Sequence, residues 1–486
     1  MAEQPPNTPQ TDVESAQPPT KEPDPNLVTF PPSDPEHPRN WSQSTKWKTT
    51  WTVSLFVFIS PISSAMIAPA LEDLGRSLDM HGNVEVYLSM AIFILAYAVG
   101  PIFFGPASEL YGRVRILQIT NLWYLAWNLG CGFATTKAEL FVFRFLAGIG
   151  GSAPLAVGGG AVSDMWSPDE RGKAMGMYTM GPMLGPVIGP IAGAFIAQYS
   201  TWRWVFYSTS IAAGVVQVIG FVWLKESHPA TILRWRRNRL AKETGNEDLH
   251  TGAEEESIAK TLLHAVQRPV RMFTTQPIVA CIAIYMAYLF GTLYLMFATF
   301  PTIWTKVYDE SQGIGGLNYL SIAIGSFIGI LLQFKMVDRI YRTLKTKNNG
   351  VGCPEFRMPS MAFGSVVLTI GLFWYGWSIG HAHWIMPNIG ALIVSVGVIC
   401  CLQGMQMYIV DCYQTYAASA MAACAVLRSL AGFGFPLFAP YLYEELGYGW
   451  GTSVLAFVSI AVGWVAPVVF WVWGPRLRAV SRFASG

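Results

Sequence analysis

Two arginines, Arg144 and Arg428, stand inside long apolar runs of the sequence. A guanidinium at membrane depth costs a few kcal/mol even on the gentler insertion scales, so each must face a cavity or a partner. There it can hold backbone carbonyls, tyrosine hydroxyls, or a carboxylate or other acceptor on a ligand. Arg428 falls about eleven residues into its run, roughly 16 Å of helix rise from one end and near the middle of a bilayer. A structural hydrogen-bond network and substrate contact are equally good uses for it. Arg144 lies about four residues from the end of its run, where snorkelling to the interface competes with a functional role, and the functional role is favoured. A proton carrier would be a titrating group at similar depth, yet residues 50–71, the first apolar run, contain no acidic residue. Glu109, Asp164 and Asp411 all stand near the ends of runs, where gate residues belong.

Other residues suit a pocket. Tyr285, Tyr288, Phe290 and Tyr294, then Gln403, Met405, Gln406 and Tyr408, offer hydrogen bonds and adaptable thioethers in otherwise apolar segments. Most such residues in any helical bundle are packing, so each has about one chance in three of touching substrate. Catalytic constellations are missing. The Gly-x-Ser-x-Gly spacing at Gly376-Trp377-Ser378-Ile379-Gly380 closes an apolar run of helical length and so is no strand-to-helix elbow, and the sequence has no His-Glu-x-x-His, no histidine in an apolar run and no Gly-x4-Gly-Lys-Ser/Thr loop. That disfavours an enzyme, a metal centre and a nucleotide-driven pump, and it implies no cofactor. Seven scattered cysteines, Cys400 and Cys401 adjacent among them, form no disulfide framework and no metal spacing.

The elements that must position these groups follow from composition. The chain has 486 residues, 52% hydrophobic and 13% charged, with mean hydropathy +0.36. Soluble domains carry nearly twice that charged fraction, so this is a polytopic membrane protein. A net charge of +2 gives no basic excess for nucleic acid. Apolar runs long enough to cross a bilayer as helices fall at 50–71, 86–104, 116–135, 140–163, 175–199 and 204–224, and again at 277–300, 315–334, 360–379, 384–410, 417–441 and 451–473. The expected fold is therefore all-α, with twelve transmembrane helices in two pseudo-symmetric six-helix bundles. The predicted organisation is a disordered tail over 1–47, with eleven prolines before residue 41, bundles over 48–224 and 276–474, a central loop over 225–275 and a C-terminal tail over 475–486. With the N-terminus inside, 26 of the 32 lysines and arginines fall on cytosolic segments, which predicts both termini in the cytosol.

Three motifs refine this reading. Between the second and third runs lies Gly105-Pro106-Ala107-Ser108-Glu109-Leu110-Tyr111-Gly112-Arg113, which resembles the signature loop of the major facilitator superfamily. Gly105 would let a neighbouring helix approach, Glu109 would face the positive end of the eleventh span, and Arg113 would pair with Asp164. Such a cluster would lock the two halves in one access state. Arg144 opens Arg144-Phe145-Leu146-Ala147-Gly148-Ile149-Gly150-Gly151, similar to the motif that drug exporters of this superfamily carry there. In the fifth span, Gly176, Gly185, Gly189-Pro190 and Gly193-Ala194 match the spacing of its proton-coupled antiporters, with Ala194 in place of the last glycine. Small residues allow close helix approach, and the prolines permit bending at a rocker interface.

Lys225-Glu226-Ser227-His228-Pro229, Arg268-Pro269, Pro354-Glu355-Phe356-Arg357 and Ala418-Ser419-Ala420 add a resemblance to the fungal branch of 12-spanner drug:proton antiporters. The resemblance covers nearly everything after the tail. It implies a monomeric exporter of small, largely apolar drugs, toxins or secondary metabolites, with protons as coupling ion, in the plasma or vacuolar membrane. An organic-acid, polyamine or uptake transporter on the same fold, or a sensor that no longer transports, are the alternatives. Two weaker features remain. Asp338-Arg339 and Arg342 read equally as a degenerate copy of the signature loop or as a basic turn, and 254–266 as an amphipathic surface helix or as linker.

Overall fold

The computed structural model describes residue 24 and residues 26–31, 33–167, 170–252, 258–481 and 483. The first 23 residues of the expected tail, and residues 253–257 of the central loop, lie outside the described residues. In the first half, α1 (Gln43–Ala65) is followed by short α2 (Leu71–Ser77), α3 (Asn83–Tyr111), α4 (Arg113–Phe133), α5 (Lys137–Met165), α6 (Arg171–Tyr199) and α7 (Arg203–Trp223). The connection holds α8 (Pro229–Thr244) and α9 (Ile258–Thr275). The second half runs through α10 (Pro277–Lys306), short α11 (Gln312–Leu317), α12 (Tyr319–Lys347), α13 (Met358–Ser378), α14 (Ile385–Cys412), α15 (Ala417–Val458) and α16 (Val465–Val480).

Each of the twelve apolar runs falls on helix. Among the described residues, ten helical stretches are long and apolar enough to cross a membrane. Two features account for the difference from twelve. The third run, α4, is polar for a span: Asn121 donates to Gln217 Oε1 at 2.7 Å, and Asn128 donates to Thr209 and Ser210 at 2.9 Å, both across to α7. Interhelical hydrogen bonds of this kind hold helices together where lipid offers no hydrophobic drive. The last stretch, 417–479, is two runs merged across Gly447, whose φ of +70° interrupts the helix.

Within the first half α1 packs on α6, α3 on α5, and α4 on α5 and α7; within the second, α10 packs on α15, and α14 on α12 and α13. The halves meet along α3 with α15 and along α6 with α11 and α12.

The expected boundaries shift at both ends. Helix α1 begins at Gln43, inside the predicted tail, because the Ser42 hydroxyl accepts the Thr45 N–H and caps it. The residues before it are laid against the connection instead of hanging free. Val28 N–H donates to the His250 carbonyl at 2.9 Å, Asp34 pairs with Arg236, and Glu36 pairs with Arg239 at 3.1 Å. The Arg236 hydrogen bond, with the Glu36 N–H, holds the Asp34 carboxyl below its ordinary range. Helix α16 likewise continues past 474 to Val480.

Candidate functional site

At the end of the bundle that carries the chain termini, the signature loop closes around Arg113. Its Nε donates to Asp164 Oδ2 at 3.3 Å and its Nη1 to Ser108 Oγ at 2.6 Å, while Glu109 stands at 3.9 Å. The guanidinium fits because Gly160 has no side chain: a β-carbon there would come within 2.9 Å of Arg113 Cζ. Helix α4 starts at Arg113 with a glycine at its N-cap, so it lacks a local cap. Glu226, far along the chain, supplies one. Its two oxygens accept the N–H groups of Arg113 at 2.9 Å and Val114 at 3.2 Å, where the helix dipole favours an anion. Gly112 is required twice over. Its φ is +101°, and a β-carbon would collide with the Glu226 carboxylate.

The segment after Glu226 completes the cluster. His228 N–H also donates to Glu226 at 3.0 Å, and His228 Nδ1 is 3.0 Å from the Thr231 hydroxyl. Burial, helped by Arg113 and Arg234, pushes the His228 imidazole down to about 4, so it is neutral at pH 7. Arg234 binds the Glu109 carbonyl at 2.9 Å.

Two expectations for this loop fail. A β-carbon on Gly105 would meet nothing within 4 Å, so Gly105 provides no close approach here. The cluster also does not lock the halves together. Its members lie on α3, α4, α5 and the start of the connection, and Glu109, more than half exposed, pairs with Arg113 of its own loop instead of reaching α15. Among the described residues, the ion pair that joins the halves is at the opposite end, Lys306 to Glu72 at 2.7 Å. There, too, Asn83 bonds Glu444 at 2.7 Å and the Gly313 N–H bonds Gln198 Oε1 at 2.6 Å. The molecule is therefore fastened across its halves at the end away from the termini.

The glycines of α6 divide by face. Gly185 and Gly189 press on α1: β-carbons there would lie 2.7 Å from Pro61 and 2.6 Å from the Ile62 carbonyl, and one on Gly193 would overlap the Met66 carbonyl. Pro190 is buried beside them. Gly176 does not belong to this set, since a β-carbon there would meet nothing within 4 Å. On the other face Ala194, the departure from the motif, meets Gly316 of α11 so closely that Gly316 could carry no side chain.

The two interior arginines differ. Arg144 is fully buried and does not snorkel. Its Nε donates to the Ser89 carbonyl at 3.0 Å and its Nη1 to the Ser63 carbonyl at 3.2 Å, and the cation lies 4.6 Å from the Phe93 ring and 5.6 Å from Phe206. Its Nη2 has no partner. Arg428 lies 5.3 Å from the Phe290 ring, and its buried Nε has no acceptor. The polar groups around them are neutral: Tyr97, Tyr124 and Cys131 near Arg144, and Tyr178, Tyr294 and Cys424 near Arg428. Where the first span lacks a carboxylate, α1 offers hydroxyls. Ser60 bonds Tyr97, and Ser64 bonds Tyr294 of the other half at 3.3 Å.

Comparison with known proteins agrees with this architecture. The family model described as Major Facilitator Superfamily matches residues 53–436. The chain belongs to that superfamily. An efflux pump of Penicillium aethiopicum, vrtL, is 74% identical over 95% of this chain and 92% of its own length. The MFS-type transporter penM of Penicillium rubens is 39% identical over 95% and 91%. Among solved structures, the xylose transporter XylE from E. coli superposes with a TM-score of 0.66 at 15% identity, over 89% of this chain and 98% of that one.

The facilitator fold also sorts the expected pocket residues. Of the four tyrosines expected in a pocket, Tyr294 bonds the other half, through Ser64. Tyr285 bonds Ser365 at 3.0 Å and Tyr288 bonds the Leu455 carbonyl at 2.6 Å, so both are tied inside the second half. Tyr408 packs on Phe470, ring centres 5.5 Å apart, toward the terminus-bearing end. These contacts all lie within the second half. Gln403 and Gln406 are half-buried on α14, which packs mainly on α12 and α13. Sequence reasoning missed Glu226, His228, Gly160, and the hydroxyls of Ser60 and Ser64. Glu226 carried one signal, an acidic residue between the end of a span and the proline that starts the next helix.

Proposed function

We propose that this membrane protein is a proton-driven exporter of small, largely apolar metabolites or toxins, working by alternating access of its two halves. The observation that carries the reading is whole-length identity of 74% to a protein named an efflux pump. The geometry supports it. A fold fastened across its halves at one end, with glycine-lined helix contacts beside that fastening, suits rocking about a central site. Taking the terminus-bearing end as cytosolic, in line with the distribution of lysine and arginine, the structure corresponds to a carrier closed to the outside. The Arg113–Asp164–Glu226 cluster then acts on the cytosolic side, holding α3, α4, α5 and the connection as one body while the other half moves against it.

The test is efflux from pump-deficient yeast expressing this chain, with and without a protonophore, over a panel of azoles, dyes, acidic polyketides and organic acids. Export abolished by the protonophore is expected. Export indifferent to it would overturn the coupling, and substrate accumulation would overturn the direction.

A further inference from the structure

Arg428 occupies the place where the halves meet. Phe290 and Tyr294 approach it from α10, Tyr178 from α6, and Cys424 from one turn back on α15. One turn on, Gly432 packs against both Phe290 and Ile94 of α3. Helices from both halves thus surround one cation. Arg144 donates to two carbonyls and lies on two aromatic faces, with Nη2 alone left without a partner. Arg428 has one aromatic face and, among the described residues, no hydrogen bond. Arg428 is half-buried, its Nε is buried without an acceptor, and no carboxylate is among its charged neighbours, so its fork is open to an acceptor brought from outside the chain. A guanidinium fork matches two oxygens of one planar anion. Phe290 and Tyr294, ring centres 4.8 Å apart, form an aromatic wall beside it.

We infer that Arg428 is the anion-recognising residue of the translocation site, and that the compounds carried are aromatic acids, with a carboxylate or an acidic enol held by Arg428 and the ring body against Phe290 and Tyr294. This deepens the export reading and rests on it for the word carried; binding can be tested without it.

Two measurements separate the claims. Purified protein in nanodiscs is titrated with anthracene-9-carboxylate, its methyl ester and the cation rhodamine 6G, followed by fluorescence; export of the same three probes is measured in pump-deficient yeast. The wild type is expected to bind the acid at least about ten-fold more tightly than the ester or the cation. Arg428→Gln should lose about that factor for the acid and leave ester binding within about three-fold, while Arg428→Lys, which keeps charge without the fork, should fall between. Wild-type protein that binds ester or cation as well as acid, or none of the three, overturns the proposal without recourse to any variant. Undiminished acid binding by Arg428→Gln overturns it as well. Acid binding that depends on Arg428 without export in cells upholds the site and overturns the export reading. Export of ester and cation with no preference for acid does the reverse.

Discussion

The two halves secure the start of their third helix in the same place and by opposite chemistry. In the first half, Arg113 at the head of α4 pairs with Asp164 at the foot of α5; in the second, Arg357 just before α13 pairs with Asp411 at the foot of α14, at 3.0 Å. In each, the segment at the end of the sixth helix of that half reaches back to the same loop. After α7 it brings a carboxylate, Glu226, to backbone N–H groups. Within α16 it brings a cation, Arg478, which forks onto the two oxygens of Glu355 at 3.0 Å each. Position is repeated where residue type is not, so the internal duplication survives as geometry. In position, the second-half counterpart of the Arg113 pair is Arg357–Asp411; Asp338, Arg339 and Arg342, which read equally as a copy of the signature loop or as a basic turn, lie within helix α12, and the Asp338 side chain lies outside the described residues.

The comparison can be broken at four points. The largest effect belongs to Glu355, nearly buried against Arg478. Glu355→Ala strands that cation and should cost about 3 kcal/mol, read as a lower melting temperature in detergent, whereas the double variant with Arg478→Ala should cost less than the two single changes summed. Additive losses would mean the pair is not coupled. Next, Asp164→Asn should cut transport about ten-fold with surface expression retained, because the charge holding Arg113 is lost from the gate, while Asp411→Asn at the more exposed pair should cost about 1 kcal/mol or less and little transport. Equal effects on transport would erase the functional asymmetry between the halves.

Glu226→Gln removes the charge from the cap of α4 and should destabilise by about 1–2 kcal/mol, with amide exchange of the first turn of α4 rising most. Unchanged exchange there would refute the capping role. The smallest effect is a pH effect at His228. Its folded value, about 4, lies below the ordinary 6.5, so the folded state holds fewer protons. The stability this contributes is present above pH 6.5 and is lost as pH falls toward 4. His228→Asn should therefore melt less differently between pH 7 and pH 5 than the wild type; an identical acid-induced drop would remove His228 from the network.

Hydropathy made the helices legible because an apolar run of this length can satisfy its backbone in a bilayer within the segment only as a helix. It undervalued α4, whose asparagines are satisfied by α7 and not by lipid. The pairing of Arg113 with Asp164 was legible because a motif fixes one partner and the foot of the next but one helix supplies the other. Glu226 was not, since its partners are backbone amides distant in sequence. Spacing placed Gly105 and Gly176 beside the packing glycines, but only three-dimensional contact separates Gly185, Gly189 and Gly193 from them. The tyrosines were sorted least well. A span that is apolar all round, as α10 is, gives no periodicity to tell Tyr294, which bonds Ser64 of the other half, from Tyr285 and Tyr288, which bond within their own.

The meeting of Ala194 with Gly316 bears on inheritance. The smallness required there belongs to the pair and not to either residue, so a methyl group can migrate from one helix to the other without widening the seam. Descendants of such a chain are free to drift along that exchange, Ala194→Gly first and Gly316→Ala second, whereas the reverse order passes through an ancestor too swollen to close.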